Sequence, residues 1–229
     1  MPSGPLIDNL CDGNFFHAFA SRMLRSASSK VSDSSPRQAA SASARDYVSL
    51  LGAGAYQHFR PVVIDALISR GEFLTSYTPY QAEISQGNLQ AMFEFQTLIV
   101  QLTGMEVANS SLYDGSTATS EAVLMALRVN SNGSGGRRNR IVWARTLHPE
   151  YRQVVETYVR HLGVDLHELG YTESGQIDFR ELDSALNDAT AAVVVQLPNF
   201  LGAVERTREI AEITHKHGAM LIVSVAEPL

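Results

Sequence analysis

Lysine and cysteine are scarce in this chain. Of the 18 basic residues, only Lys30 and Lys216 are lysines. A reaction that needs a Schiff-base lysine must use one of these two, or an amine from another chain. Cys11 is the single cysteine. That excludes an internal disulfide and a cysteine-based metal cluster. A reducing compartment, the cytoplasm, is the simplest expectation. His215 and His217 have no third ligand near them in the sequence, so no metal site is expected. No stretch approaches the ~20 uninterrupted apolar residues of a membrane helix, so no membrane partner is expected. A net charge of −6 is the wrong sign for a general nucleic-acid binder.

What is present fits a globular protein, with 45% apolar and 18% charged residues. A length of 229 residues accommodates one α/β domain with a real core. Residues 1–47 differ from the rest. From Ser26 to Ser43 the chain holds eight serines and four alanines in eighteen positions. Such a stretch buries little, and a poorly ordered tail is expected. Arg22, Arg25, Arg37 and Arg45 give it a transit-peptide flavour, which Asp8, Asp12 and Asp33 interrupt.

From residue 48 to 229 the pattern is regular. Pro61–Arg70 reads as a short helix and Gly87–Thr103 as a longer one, with Leu89, Met92, Phe93, Gln96, Ile99 and Leu102 at three-to-four spacing, all but Gln96 apolar. Gly104 stops it. A short Val107–Leu112 segment leads to a helix over Thr117–Arg128, and Asn130–Arg138 is a Gly/Ser/Arg loop. Strands and helices then alternate. Strands are expected at Ile141–Ala144, Val164–Leu169, Ala191–Gln196 and Met220–Val225. Helices are expected at Glu150–Leu162, Phe179–Leu186 (capped by Asp178) and Glu205–His217. This alternation means βαβ units and a mostly parallel sheet. The apolar runs AAVVV and MLIV suit strands buried on both faces. A sheet that stops at Glu227-Pro228-Leu229 lacks a cover for its last strand, so the fold is expected to be incomplete at its C-terminus.

Five segments concentrate residues suited to chemistry. Leu51-Gly-Ala-Gly-Ala-Tyr56 permits close backbone approach, or is a plain turn. Tyr77-Thr-Pro-Tyr-Gln-Ala-Glu-Ile-Ser-Gln-Gly87 gathers Tyr77, Thr78, Tyr80, Gln81, Glu83, Ser85 and Gln86 in one polar-aromatic loop, either a binding loop or a packed inter-subunit loop. Tyr113-Asp-Gly-Ser-Thr117 precedes a helix. Its free N–H groups with the Ser116 and Thr117 hydroxyls can hold a phosphate, or Asp114 or Ser116 simply caps the helix. Arg145-Thr-Leu-His-Pro-Glu-Tyr151 follows a strand, where His148 can stack on a flat cofactor, serve as acid/base, or cap and pack. Gln196-Leu-Pro-Asn-Phe-Leu-Gly202 also follows a strand, and Asn199 is expected to project into the same crevice.

At these residues the chain resembles the alpha-type subunit of the glycine cleavage system P-protein, a glycine decarboxylase. The strings LGAGAYQHFRP, EFLTSYTPYQAEISQGNLQAMFEFQTLIVQLTGMEVANSSLYDGSTATSEA, RTLHPEYR, TAAVVVQLPNFLGAVE and LIVSVAEPL carry the resemblance in order, over roughly 48–229. It implies the aspartate-aminotransferase-like large domain of fold type I pyridoxal-phosphate (PLP) enzymes. It also implies a reaction in which glycine loses CO2 and its aminomethylene group passes to the lipoyl arm of the H-protein. The PLP lysine is then expected on a beta-type partner subunit, in line with the lysine count here.

By position, Tyr80, Glu83 and His148 are the implied catalytic candidates. Tyr77, Thr78, Ser85 and Gln86 belong to the loop that reaches the shared pocket. Gly115, Ser116 and Thr117 match the cofactor-phosphate position, vestigial in a PLP-free subunit, and Asn199 a strand-end polar position. Ala226-Glu227 stands where catalytic relatives carry the aspartate that pairs with the pyridinium nitrogen. An inactive remnant of the subunit, or another fold type I lyase or transferase with its lysine beyond residue 229, are the alternatives. The family's helical region ahead of LGAGAY is not recognisable in residues 1–47.

Overall fold

The computed structural model describes residues 61–74, 77–130 and 138–226. The serine-rich tail with Cys11 and Lys30, the LGAGAY segment, most of the Asn130–Arg138 loop and Glu227 lie outside the described residues.

Four strands form one parallel sheet: β1 (Arg140–Ala144), β2 (Asp165–Leu169), β3 (Thr190–Leu197) and β4 (Met220–Val225), in the order β2-β1-β3-β4. Alternate residues of each inner strand serve opposite faces, as a pleated strand requires. On one face Ile141, Trp143, Val194 and Ile222 pack against Val123 and Leu127 of α4 (Gly115–Val129) and Val155 of α5 (Pro149–Val159). On the other, Val142, Val193, Val195 and Leu221 pack against Leu182 of α6 (Phe179–Ala185) and Ile210 of α7 (Thr207–Lys216). β3 is buried from Thr190 through Gln196, which explains its uninterrupted apolar run. Each fully buried Val or Ile contributes roughly 1.5–3 kcal/mol.

The N-terminal elements are α1 (Val63–Ile68), α2 (Gly71–Leu74) and α3 (Gln86–Thr103). The helix expected over Pro61–Arg70 is thus shorter, and Gly71 opens a separate turn. Gly104 ends α3 in a left-handed conformation, φ 70°, a geometry glycine adopts without strain. The apolar stripe of α3 behaves differently from a core stripe. Only Ile99 is buried, while Phe93 is 68% and Leu102 72% exposed.

Two boundaries move for identifiable reasons. α4 starts at Gly115, because Asp114 rather than a later residue takes the capping position. α7 starts at Thr207, because Glu205 is turned into a buried network. Val107–Leu112 forms no regular element. Asp178 caps α6 as expected, its carboxylate accepting from the Arg180 N–H at 2.8 Å.

Candidate functional site

The chain leaves β1 through α5 to reach β2 on one side, then crosses back through α6 to β3 on the other. Strand order therefore reverses between β1 and β3. In open α/β sheets, ligands bind in the crevice beyond the carboxyl ends of the strands at such a reversal. Two loops meet there: Arg145–His148 after β1 and Pro198–Phe200 after β3. They are tied by a Phe200 N–H to Thr146 carbonyl bond of 2.8 Å, and by the His148 N–H donating to Oε1 of buried Gln196 at 2.8 Å.

His148 is the N-cap of α5, its Nδ1 accepting from the Glu150 N–H at 3.2 Å, with Pro149 supplying the first helical residue. Proline suits that position because it has no N–H to leave unpaired. The imidazole stacks on Tyr151, with centroids 4.9 Å apart and planes 27° apart, and meets Phe200 edge-on at 5.0 Å. Burial holds its pKa below the ordinary 6.5, partly offset by the nearby Glu150 carboxylate. The neutral ring is the form that can accept the capping hydrogen bond. Capping and packing is thus the geometry recorded for His148.

At the first turn of α4, the Asp114 carboxylate takes up the Thr117 N–H and the Ser116 and Thr117 hydroxyls. Its Oδ1 accepts from the Thr117 N–H at 2.7 Å and the Ser116 hydroxyl at 2.6 Å, while the Thr117 hydroxyl accepts from the Asp114 N–H at 3.0 Å. This is a closed capping box. Gly115 is buried beneath Tyr151. A β-carbon on it would lie 2.7 Å from the tyrosine Cζ, and nearer still to the hydroxyl.

These residues do not fit a cofactor phosphate. A helix N-terminus favours an anion by about 0.3–1 kcal/mol, rising to about 2 when partly buried. A second anion roughly 4 Å from the Asp114 carboxylate is repelled by about 4 kcal/mol per charge at an effective dielectric near 20. Repulsion wins, and the hydroxyls of Ser116 and Thr117 already face Asp114.

Asn199 does not project into the crevice. It is fully buried. Its amide donates to the Gly175 carbonyl and to Glu205 Oε1, both at 2.7 Å, and its Oδ1 accepts from the Leu201 and Ala203 N–H groups at 3.0 Å. A side chain so fully engaged organises its own loop. Glu205, 4% exposed, completes the network by accepting from the Ile177 N–H at 3.1 Å and facing the Thr146 hydroxyl at 3.5 Å.

The Tyr77–Gln86 segment is an exposed loop leading into α3. Tyr77 and Tyr80 are each 81% exposed, with rings 6.2 Å apart. Thr78, Glu83 and Gln86 are exposed too, and Ser85 is the half-buried N-cap residue of α3. The structure thus brings Gly115, Ser116, Thr117 and His148 towards one another through Tyr151, and turns Asn199 away. Tyr151 and Phe200 were not singled out by sequence reasoning. The three-residue spacing from His148 to Tyr151 was the available signal, since it places both on one helix face. Among the described residues no group of three or more His, Cys, Asp or Glu could hold a metal, and no helix is long and apolar enough to cross a membrane.

A four-stranded parallel sheet covered by helices on both faces is an α/β architecture, and likeness to solved structures gives it as part of the large domain of fold type I PLP enzymes. A NifS-like protein shares the fold, with a TM-score of 0.55 over 76% of this chain at 14% identity. A match to the glycine cleavage system P-protein family spans residues 19–229, and the chain belongs to that family. A "Probable glycine dehydrogenase (decarboxylating) subunit 1" of Koribacter versatilis is 54% identical over 194 residues, covering 84% of this chain and 42% of the relative. The protein of the same description in Solibacter usitatus is 54% identical, covering 83% and 41%. The crystal structure of an inhibitor-bound glycine decarboxylase (P-protein) superposes with a TM-score of 0.68 at 45% identity, covering 78% of this chain and 38% of that one. The chain thus spans about two fifths of the length of these relatives.

Proposed function

We propose that this chain serves as the alpha-type part of a glycine decarboxylase and holds no PLP of its own. In this reading the assembly converts glycine and lipoylated H-protein to aminomethyl-H-protein and CO2 in the cytoplasm. A beta-type partner subunit holds PLP on its own lysine, and the cofactor there supplies the electron sink for decarboxylation. This chain contributes the exposed loop carrying Tyr77, Thr78, Tyr80, Glu83, Ser85 and Gln86, which reaches the partner's pocket and orients the substrate.

The position of Lys216 carries the reading. It is exposed at the C-terminal end of α7, just before β4. It therefore lies at the amino-terminal edge of the sheet, opposite the crevice that follows β1 and β3. A strand the length of β4, six residues, separates the two edges, a span of roughly 20 Å. That exceeds the reach of a lysine side chain, and among the 229 residues the only other lysine is Lys30. The exposed apolar stripe of α3 supports obligate pairing, because exposed apolar patches mark interaction surfaces.

The test mixes this chain with its beta-type partner, lipoylated H-protein and glycine, and follows CO2 exchange. Exchange above that of the beta-type subunit alone is expected. No gain contradicts the subunit role and leaves a remnant without catalytic function.

A further inference from the structure

We infer that Tyr151 and Asp114 form an internal plug that occupies the positions of the ring and phosphate of a flat phosphorylated cofactor. They are thereby the residues that decide this chain stays cofactor-free. The inference rests on the reading that the cofactor belongs to the partner, and it names the residues responsible. Two independent observations support it. A ligand with its ring on His148 and its phosphate at the first turn of α4 must cross the interval between them. Tyr151 reaches both ends of that interval. Its ring stacks on His148 at 4.9 Å, and its hydroxyl end presses on Gly115, where no β-carbon fits. Separately, the Asp114 carboxylate accepts the Thr117 N–H and the Ser116 hydroxyl, two of the donors that would otherwise meet a phosphate, and places its own negative charge there. One side chain copies an aromatic ring with a polar end, and the other copies an oxyanion.

The Asp114 substitutions preserve the helix cap, whereas Tyr151→Ala removes a side chain packed against the core, so its folding is checked. Serine and asparagine cap helices about as well as aspartate but carry no charge. Binding to the 229-residue chain is measured by equilibrium dialysis with three probes: inorganic phosphate, pyridoxal and pyridoxal phosphate. The unmodified chain is expected to bind none of them saturably and to show no thermal shift with any. Asp114→Ser or Asp114→Asn gains phosphate affinity, Tyr151→Ala gains pyridoxal affinity, and Tyr151→Phe, which keeps the ring, gains neither. The double variant Asp114→Ser with Tyr151→Ala binds pyridoxal phosphate at least about tenfold tighter than either single variant.

Saturable pyridoxal phosphate binding by the unmodified chain overturns the plug. So does the absence of any gain in Asp114→Asn, which retains the cap and gives a folded reference even if the double variant does not fold. Folding is followed by the fluorescence of Trp143, the only tryptophan, which is buried in the sheet core. These probes read this chain's pocket alone, whereas CO2 exchange reads the subunit role, so either can fail while the other stands.

Discussion

Gly115 and Tyr151 pack so closely that residue 115 has no room for a side chain. Glycine to alanine in a helix ordinarily stabilises by about 0.5–1 kcal/mol. Here the added methyl drives into the tyrosine ring, and overpacking of this kind costs about 1–3 kcal/mol. Gly115→Ala is therefore expected to destabilise. Chemical denaturation followed by Trp143 fluorescence measures it. In a double-mutant cycle, Tyr151→Ala should abolish the penalty, and an unchanged penalty in that background removes the contact as its cause.

The His148 cap has a pH signature. Burial lowers its pKa in the folded protein below 6.5. The unfolded chain then binds more protons in the interval between the two values, so stability rises with pH across it. The contribution is full above 6.5 and is lost as pH falls through the folded value. Denaturation midpoints on either side of 6.5 should show this slope. His148→Asn, which can still cap, should remove it, and a retained slope assigns it to another group.

The outer face carries a second, more acidic signature. His217 donates to Asp183 at 3.0 Å and holds that carboxyl below its ordinary value of 3.8. A depressed acid stabilises above its unfolded pKa and loses that contribution as pH falls through the folded one. Asp183→Asn should flatten the acid unfolding limb below 3.8 and lower stability slightly at neutral pH, where the ionised carboxylate contributes, the two proteins converging in strong acid. Both residues sit near the surface, so the difference should shrink in high salt.

Glu205 ties three loops together. Glu205→Ala leaves the Asn199 amide and the Ile177 N–H short of a buried acceptor, at about 1–3 kcal/mol for each unpaired group. Glu205→Gln keeps one acceptor oxygen and should cost less. Equal losses from the two variants would exclude lost volume, which glutamine keeps, and trace the effect to the carboxylate's second acceptor oxygen and charge.

For the exposed loop, Tyr80→Phe or Glu83→Gln in the full assembly should lower CO2 exchange without dissociating the subunits. Gel filtration run beside the exchange assay separates the two effects. Unchanged exchange removes both residues from the shared site.

The alternation of strands and helices was legible because β3 and β4 are buried on both faces and read as apolar runs, and because Asp178 and Gly104 are conventional helix punctuation. The crevice was legible as a place, since segments that follow parallel strands gather there. Side-chain direction was not legible. Asn199 looked like a free polar group at a strand end, but the turn through Gly202 folds it inward onto Glu205. The apolar spacing of α3 looked like a core stripe, yet periodicity reports an apolar face without saying what covers it. Tyr151 was hidden for a related reason: spacing places it beside His148, but only the packing of α4 against α5 puts its hydroxyl over Gly115.

The most direct measurement uses the reconstituted assembly with glycine and one equivalent of PLP per subunit pair. Borohydride reduction followed by peptide mapping locates the lysine that held the cofactor. Label confined to the beta-type partner is expected. Reproducible label on Lys216 or Lys30 of this chain would contradict a cofactor-free subunit.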